Sequence, residues 1–314
     1  MRRPRIKAEG EGFYHVVSRI GGKRFLIDAE EKGILLATIR AAAAFSGVEL
    51  YTFAVMSNHF HLLVRVPRKR EVPDAELLRR MEALYGTPRF HKVLDKWEKW
   101  NKTNQESRVE NEKARLRARM HDLSQFCKTF KETYTQDYNR RHGNTGTIWE
   151  GRFKSILLDG SRRAMMTVAG YIHLNPVRAG MAETAEEAEN AGFGAACRGD
   201  TRAQAGLLGL VKRVYGAKDA TWVQARDACA EVVAGTVPGG SAGDPPATPG
   251  NGAFKALLRS RVAGFLHGGA LGDERFLKRV AARLPKRARR HSETRLDRCP
   301  FLGFRSAAGV REVS

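Results

Sequence analysis

Cysteine is scarce in this 314-residue chain, and the four present, Cys127, Cys197, Cys229 and Cys299, are scattered with no C-x-x-C pair. That spacing argues against a zinc ribbon or a disulfide framework, and a reducing, cytoplasmic setting is expected. No apolar run reaches the roughly 18 residues that a membrane span needs, so no membrane partner is expected. The basic start, Met1-Arg2-Arg3-Pro4-Arg5-Ile6-Lys7, is not followed by the apolar segment of a secretory signal. Acid is also in short supply. Asp and Glu total 34 against 55 Lys and Arg, a net charge of +21. An excess of that size calls for a polyanion, and nucleic acid is the default, because neutralising phosphates releases counterions and drives binding.

What is present is organised along the chain. Phe13-Tyr14-His15-Val16-Val17-Ser18-Arg19 alternates as a half-buried strand closed by Gly21-Gly22. Ala and Leu at helical spacing predict a helix over 29–46, stopped by Gly47. Val48 to Val55 reads as a second strand, Ser57-Asn58 as a tight turn, and 59–66 as its hairpin partner. From about 68 to 120 the composition shifts to Glu, Lys, Arg and Leu with helical periodicity, a charged helical insertion whose Trp97 and Trp100 are expected to pack onto the body. A helix follows at about 121–141 with Phe126, Phe130, Tyr134 and Tyr138 every fourth residue, a row that reads as core packing. Then come a loop at His142-Gly143-Asn144-Thr145-Gly146, a strand at 153–158, and a helix over 162–175 that Pro176 must end or kink.

This order implies an α+β fold, a mostly antiparallel sheet with helices on one face. A main domain is expected over 1–185, then a helical extension over 186–233 and a Gly/Pro/Ser-rich linker at 234–253. A small helical C-terminal module at 254–314 carries the basic cluster Lys286-Arg287-Ala288-Arg289-Arg290-His291, which would add phosphate contacts if it is more than a solvated tail.

Two segments carry chemistry. In Ser57-Asn58-His59-Phe60-His61-Leu62-Leu63-Val64, strand alternation turns His59 and His61 to one face and Phe60 to the core. Two imidazoles side by side are two thirds of a divalent-metal site, although nine histidines would give roughly 0.3 such triplets by chance. In Gly170-Tyr171-Ile172-His173-Leu174-Asn175-Pro176, Tyr171 and Asn175 are four apart and would share a helix face. The Asn175 carbonyl suits a hard divalent ion as a third ligand, and Tyr171 would present its hydroxyl beside it. The bland alternative is a packing tyrosine and an asparagine cap before proline. His173 falls on another helix face and is expected to be structural, while His15 either borders the site or is a satisfied core histidine.

Trp149 is a candidate to stack on an unpaired base, with Arg152 and Lys154 on phosphates and Arg140, Arg141 and His142 extending the basic edge. Arg19 and Arg178 complete the candidate DNA-contact set.

Four blocks in order, 13–19, 51–65, 146–158 and 170–180, resemble the single-tyrosine HUH transposases, most closely the REP-associated tyrosine transposases of bacteria. The resemblance spans most of residues 10–185. It implies a ferredoxin-like HUH nuclease fold and single-stranded DNA cleavage through a 5′-phosphotyrosine with a free 3′-OH, followed by rejoining. Carried over, His59, His61 and Asn175 would bind Mg²⁺ or Mn²⁺ and Tyr171 would be the nucleophile. Hairpin-forming or single-stranded DNA would be the partner of a nucleoid-associated monomer or homodimer. The insertion is longer than a minimal relative needs, and beyond 234 only 262–266 and 269–276 look like an accessory region of longer relatives. The alternatives are a domesticated, non-cleaving hairpin-DNA regulator and a rolling-circle initiator, which often has two tyrosines where 162–178 holds only Tyr171.

Overall fold

The computed structural model describes residues 5–236, 258, 269–283, 296–299 and 304–307. The chain divides into two compact units, one of residues 1–28, 50–65 and 149–314, the other of residues 29–49 and 66–148.

The first unit is built on a sheet. Strands β1 (Gly12–Arg19), β2 (Glu49–Val55), β3 (His59–Val66) and β4 (Lys154–Leu158) lie in the order β2-β3-β1-β4. β1 is antiparallel to β4, with His15 opposite Ile156 and Val17 opposite Lys154. The hairpin predicted at Ser57-Asn58 is present, and Met56 N–H donates to the His59 carbonyl at 2.8 Å. β1 departs from the expected half-buried strand, because all of its residues except Arg19 are buried. Its place between β3 and β4 explains this, since an interior strand buries both faces.

Beyond β4 come α6 (Arg162–His173), a single turn α7 (Asn175–Arg178), α8 (Gly192–Cys197), α9 (Thr201–Tyr215) and α10 (Trp222–Ala234). Ser161 caps α6, its Oγ accepting from Ala164 N–H at 3.2 Å. The helix stops at His173, short of the expected 175. Proline cannot donate a helical hydrogen bond, so the ladder of α6 ends before it and a separate short turn begins at Asn175. Gly170 allows α10 to approach α6 closely, since a Cβ there would lie 2.6 Å from Val232 Cγ1.

The C-terminal region, expected to be a small helical module, also carries strands. Helix α11 (Glu274–Ala282) is present, but β5 (Ala270–Gly272) adds to β4 in parallel, and β7 (Phe304–Ala307) and β6 (Leu296–Cys299) extend the sheet to seven strands. Most of the linker at 234–253, the 262–266 segment and the basic cluster at 286–291 lie outside the described residues.

The second unit is helical: α1 (Ala29–Ser46), α2 (Asp74–Tyr85), α3 (Thr87–Lys102), α4 (Glu106–Arg117) and α5 (Leu123–His142). Gly47 ends α1 at φ +70°, the left-handed turn anticipated from its position. The insertion folds as α2–α4 around a core of its own, where Trp97 packs with Val72, Leu77, Met81, Phe90, Val109 and Leu116 and takes in Phe45 of α1, and Trp100 borders it. In α5 the aromatic row is core, as predicted: Phe126, Phe130, Tyr134 and Tyr138 are all buried. Tyr134 Oη donates to Glu31 Oε2 at 2.8 Å, and Arg141 and His142 bind the same carboxylate. Burial alone would raise the Glu31 carboxyl, but hydrogen bonds from Arg141, His142 and Tyr134 outweigh it and hold it at about 2.

Candidate active site

Neighbouring strands β3 and β1 supply three imidazoles. The His59 and His61 rings share one face, their centroids 5.1 Å apart and nearly perpendicular, while Phe60 points away and meets the Trp149 ring edge-on at 5.7 Å. His59 Nδ1 lies 2.7 Å from Asn58 Oδ1. A neutral imidazole that donates there carries its lone pair on Nε2. His61 is 1% exposed and His15 is fully buried, and His61 Nδ1 lies 2.9 Å from His15 Nε2. Burial first, and then the neighbouring imidazoles of His15 and His59 and the cations Arg178 and Arg19, push the His61 imidazole well below its ordinary value, so it is neutral at pH 7.

Helix α6 brings Tyr171 to this pair. Its ring stands edge-on to His61 at 6.0 Å and to His15 at 6.2 Å. The Arg178 guanidinium lies 3.9 Å above the Tyr171 ring centroid, and its Nη2 donates to the Tyr171 carbonyl at 2.8 Å. Arg178 also donates to the Leu258 carbonyl. Expected as a DNA contact, it is engaged in holding the end of the tyrosine helix. Asn175 is buried one turn beyond Tyr171, at the start of the short helix α7. His173 is structural, as expected: its Nε2 meets Thr52 Oγ1 at 2.9 Å, and burial pushes it down to about 3.

The donor set fits a divalent ion. His59 and His61 lie on one strand face with Nδ1 engaged in each, and are nitrogen donors of the kind divalent ions accept, while the Asn175 side chain carries an amide oxygen of the kind hard cations accept. Among the described residues no group of three or more His, Cys, Asp or Glu side chains is arranged to hold a metal.

The remaining candidates divide. Arg19 closes β1, Arg152 is exposed, and Lys154 opens β4. Burial and then the charge of Arg19 lower the Lys154 ammonium, which marks Arg19 and Lys154 as neighbours. Trp149 is only 6% exposed, bridged to Ile20 and packed on Phe60, so its ring has little surface to offer a base. Arg140 and Arg141 belong to the helical unit, both paired with Asp137, and Arg141 also with Glu31.

The aromatic that sequence reasoning passed over is Phe25, 78% exposed beside Lys23 and Arg24. Its loop is laced to the turn before His59, Ile20 N–H donating to the Asn58 carbonyl at 2.8 Å and Ile27 N–H to the Ser57 carbonyl at 3.0 Å. An aromatic next to two cations, outside any periodic segment, was the available signal.

The family described as "Transposase IS200 like" matches residues 11–103. The resemblance read from sequence is borne out. The matched stretch carries His15, His59 and His61 and ends before Tyr171 and Asn175. A solved structure, "Structure of the REP associates tyrosine transposase bound to a REP hairpin", is 14% identical with a TM-score of 0.40, covering 62% of this chain and 84% of that one. No curated protein matches the sequence. No helix among the described residues is long and apolar enough to cross a membrane.

Proposed function

We propose that this chain is a metal-dependent single-stranded DNA endonuclease and strand transferase, a transposase that cleaves through a 5′-phosphotyrosine. The observation that carries this is the approach of Tyr171 to the His59/His61 pair, its ring 6.0 Å from that of His61. A tyrosine placed only for packing has no need of two imidazoles on the same strand face, whereas a phenol of ordinary pKa near 10 needs help to attack a phosphate at neutral pH.

His59, His61 and Asn175 would hold the ion, Mg²⁺ or Mn²⁺, which when bound supplies electrostatic stabilisation of charge developing on the phosphate. Tyr171 contributes the nucleophile. Its oxygen bonds to phosphorus as the phosphorus–O3′ bond breaks, the phenol proton passes to solvent, and the departing 3′ oxygen takes up a proton. The 5′ side remains on the tyrosine, conserving the bond energy for rejoining to another 3′-OH. Arg178 orients Tyr171 through its carbonyl and ring face. Tyr171 is 1% exposed, so DNA reaches its hydroxyl only when the packing around it shifts.

Arg19, Arg152 and Lys154 are assigned to the phosphate backbone, and the resemblance implies hairpin-forming sequences as targets. Phe25, in place of Trp149, is assigned to stacking on an unpaired base. The test is incubation of the protein with single-stranded hairpin DNA, labelled in turn at each end, and Mn²⁺. One fragment should carry a free 3′-OH, and the other should remain on the protein after denaturation. Release of both fragments free of protein would overturn the phosphotyrosine.

A further inference from the structure

We propose that His15 is a positioning residue that holds His61 in the Nδ1–H tautomer, so that Nε2 is the nitrogen presented for coordination. The inference rests on the functional reading above for its consequence, but not for its geometry. The His15 and His61 ring planes are within 19° of each other, with centroids 5.1 Å apart. Two imidazoles hydrogen-bonded edge to edge in a common plane have centroids about 5 Å apart. With Nε2 of His15 2.9 Å from Nδ1 of His61, the pair is therefore joined by an in-plane N–H···N bond and is not a face-to-face stack.

An N–H···N bond admits two tautomeric arrangements. If His15 donates, the proton of His61 sits on Nε2 and His61 cannot be a ligand through that atom. If His61 donates, Nε2 carries the lone pair. His59 shows which arrangement the site is built for, because its Nδ1 faces an amide oxygen, Asn58 Oδ1, at 2.7 Å. A carbonyl oxygen only accepts, so His59 donates from Nδ1 and presents Nε2. His61 donating to His15 gives both imidazoles the same presenting nitrogen.

The surroundings make the bond matter. His15 and His61 lie on adjacent strands at full burial, and Tyr171 stands edge-on to both. A packing role alone would be served equally by an apolar ring, which would spare the chain the cost of burying imidazole nitrogens. An outer partner that fixes a ligating histidine is worth on the order of 10- to 100-fold in metal affinity.

Long-range ¹H–¹⁵N spectra of the metal-free protein read the tautomer directly. The proposal predicts a protonated Nδ1 and an unprotonated Nε2 for His61, and the reverse pattern overturns it without any variant. Mn²⁺ affinity, followed by electron paramagnetic resonance, gives the second arm. H15F is expected to bind Mn²⁺ about 10- to 100-fold more weakly, and H15Q, which retains an acceptor, to recover most of that loss. Wild-type affinity in H15F would overturn the proposal. A wild-type protein that binds no Mn²⁺ would sink the metal-dependent function, while the tautomer would still decide the role of His15.

Discussion

Replacing Glu31 by glutamine (E31Q) keeps the shape of the side chain and its acceptor for Tyr134, but removes the negative charge that Arg141 and His142 share. Glu31 is 2% exposed, and its carboxyl is held at about 2 against the usual 4.5. A difference of that size is worth roughly 3 kcal/mol of folding stability at neutral pH. The partners are partly in water, Arg141 being 28% and His142 40% exposed, which screens some of the attraction. A net loss of about 2 kcal/mol is therefore expected for E31Q. The sign follows from the lowered value. The folded state prefers the ionised form, so the stabilisation is complete above the unfolded value of 4.5 and wanes as pH falls towards about 2. Urea denaturation of wild type and variant, followed by far-ultraviolet circular dichroism, should show a gap at pH 7 that narrows progressively below pH 4.5. Equal stability at pH 7, or a gap that is constant down to pH 2, would refute the reasoning.

Three further outcomes follow from the placement of the aromatics and the imidazoles. Phe25→Ala should weaken single-stranded DNA binding by about 5- to 100-fold, as loss of one stacked base predicts, with Phe25→Trp near wild type in fluorescence anisotropy. Trp149→Ala should instead cost about 3 kcal/mol of stability, because its ring fills core beside Phe60, and a DNA-affinity loss in a fully folded variant would reverse the assignment. Removal of divalent ions with a chelator should abolish the covalent adduct and leave stability largely unchanged, and adduct formation in excess chelator would exclude the metal-dependent step.

Much of the fold was legible because its signals are local. The tight Ser57-Asn58 turn and the alternation after it specified β3, and the glycine at 47 specified the end of α1. The aromatic row of α5 announced a buried helix face. The site was legible in its residue types but not in its connections. Spacing put Asn175 one turn beyond Tyr171, and the break between α6 and α7 falls between them, just before Pro176. Arg178 read as a phosphate contact because a cation in a basic chain looks like one, and only the fold shows its guanidinium over Tyr171. Trp149 was drawn inward by its bridge to Ile20, a pairing between residues far apart in sequence. The His15–His61 bond spans 46 residues and depends on β1 lying beside β3, which no local pattern encodes. The strands past residue 269 are short segments whose pairing with β4 is likewise non-local.

The central claim is that the Tyr171 hydroxyl becomes joined to DNA. Single-stranded hairpin DNA, Mn²⁺ and the full chain would be combined, the adduct digested with protease and nuclease, and the modified peptide sequenced by mass spectrometry. The phosphonucleotide should sit on Tyr171, and Tyr171→Phe should yield no adduct while folding and binding DNA as wild type does. An adduct on Tyr134, Tyr138 or any other residue, or undiminished adduct in Tyr171→Phe, would contradict the account.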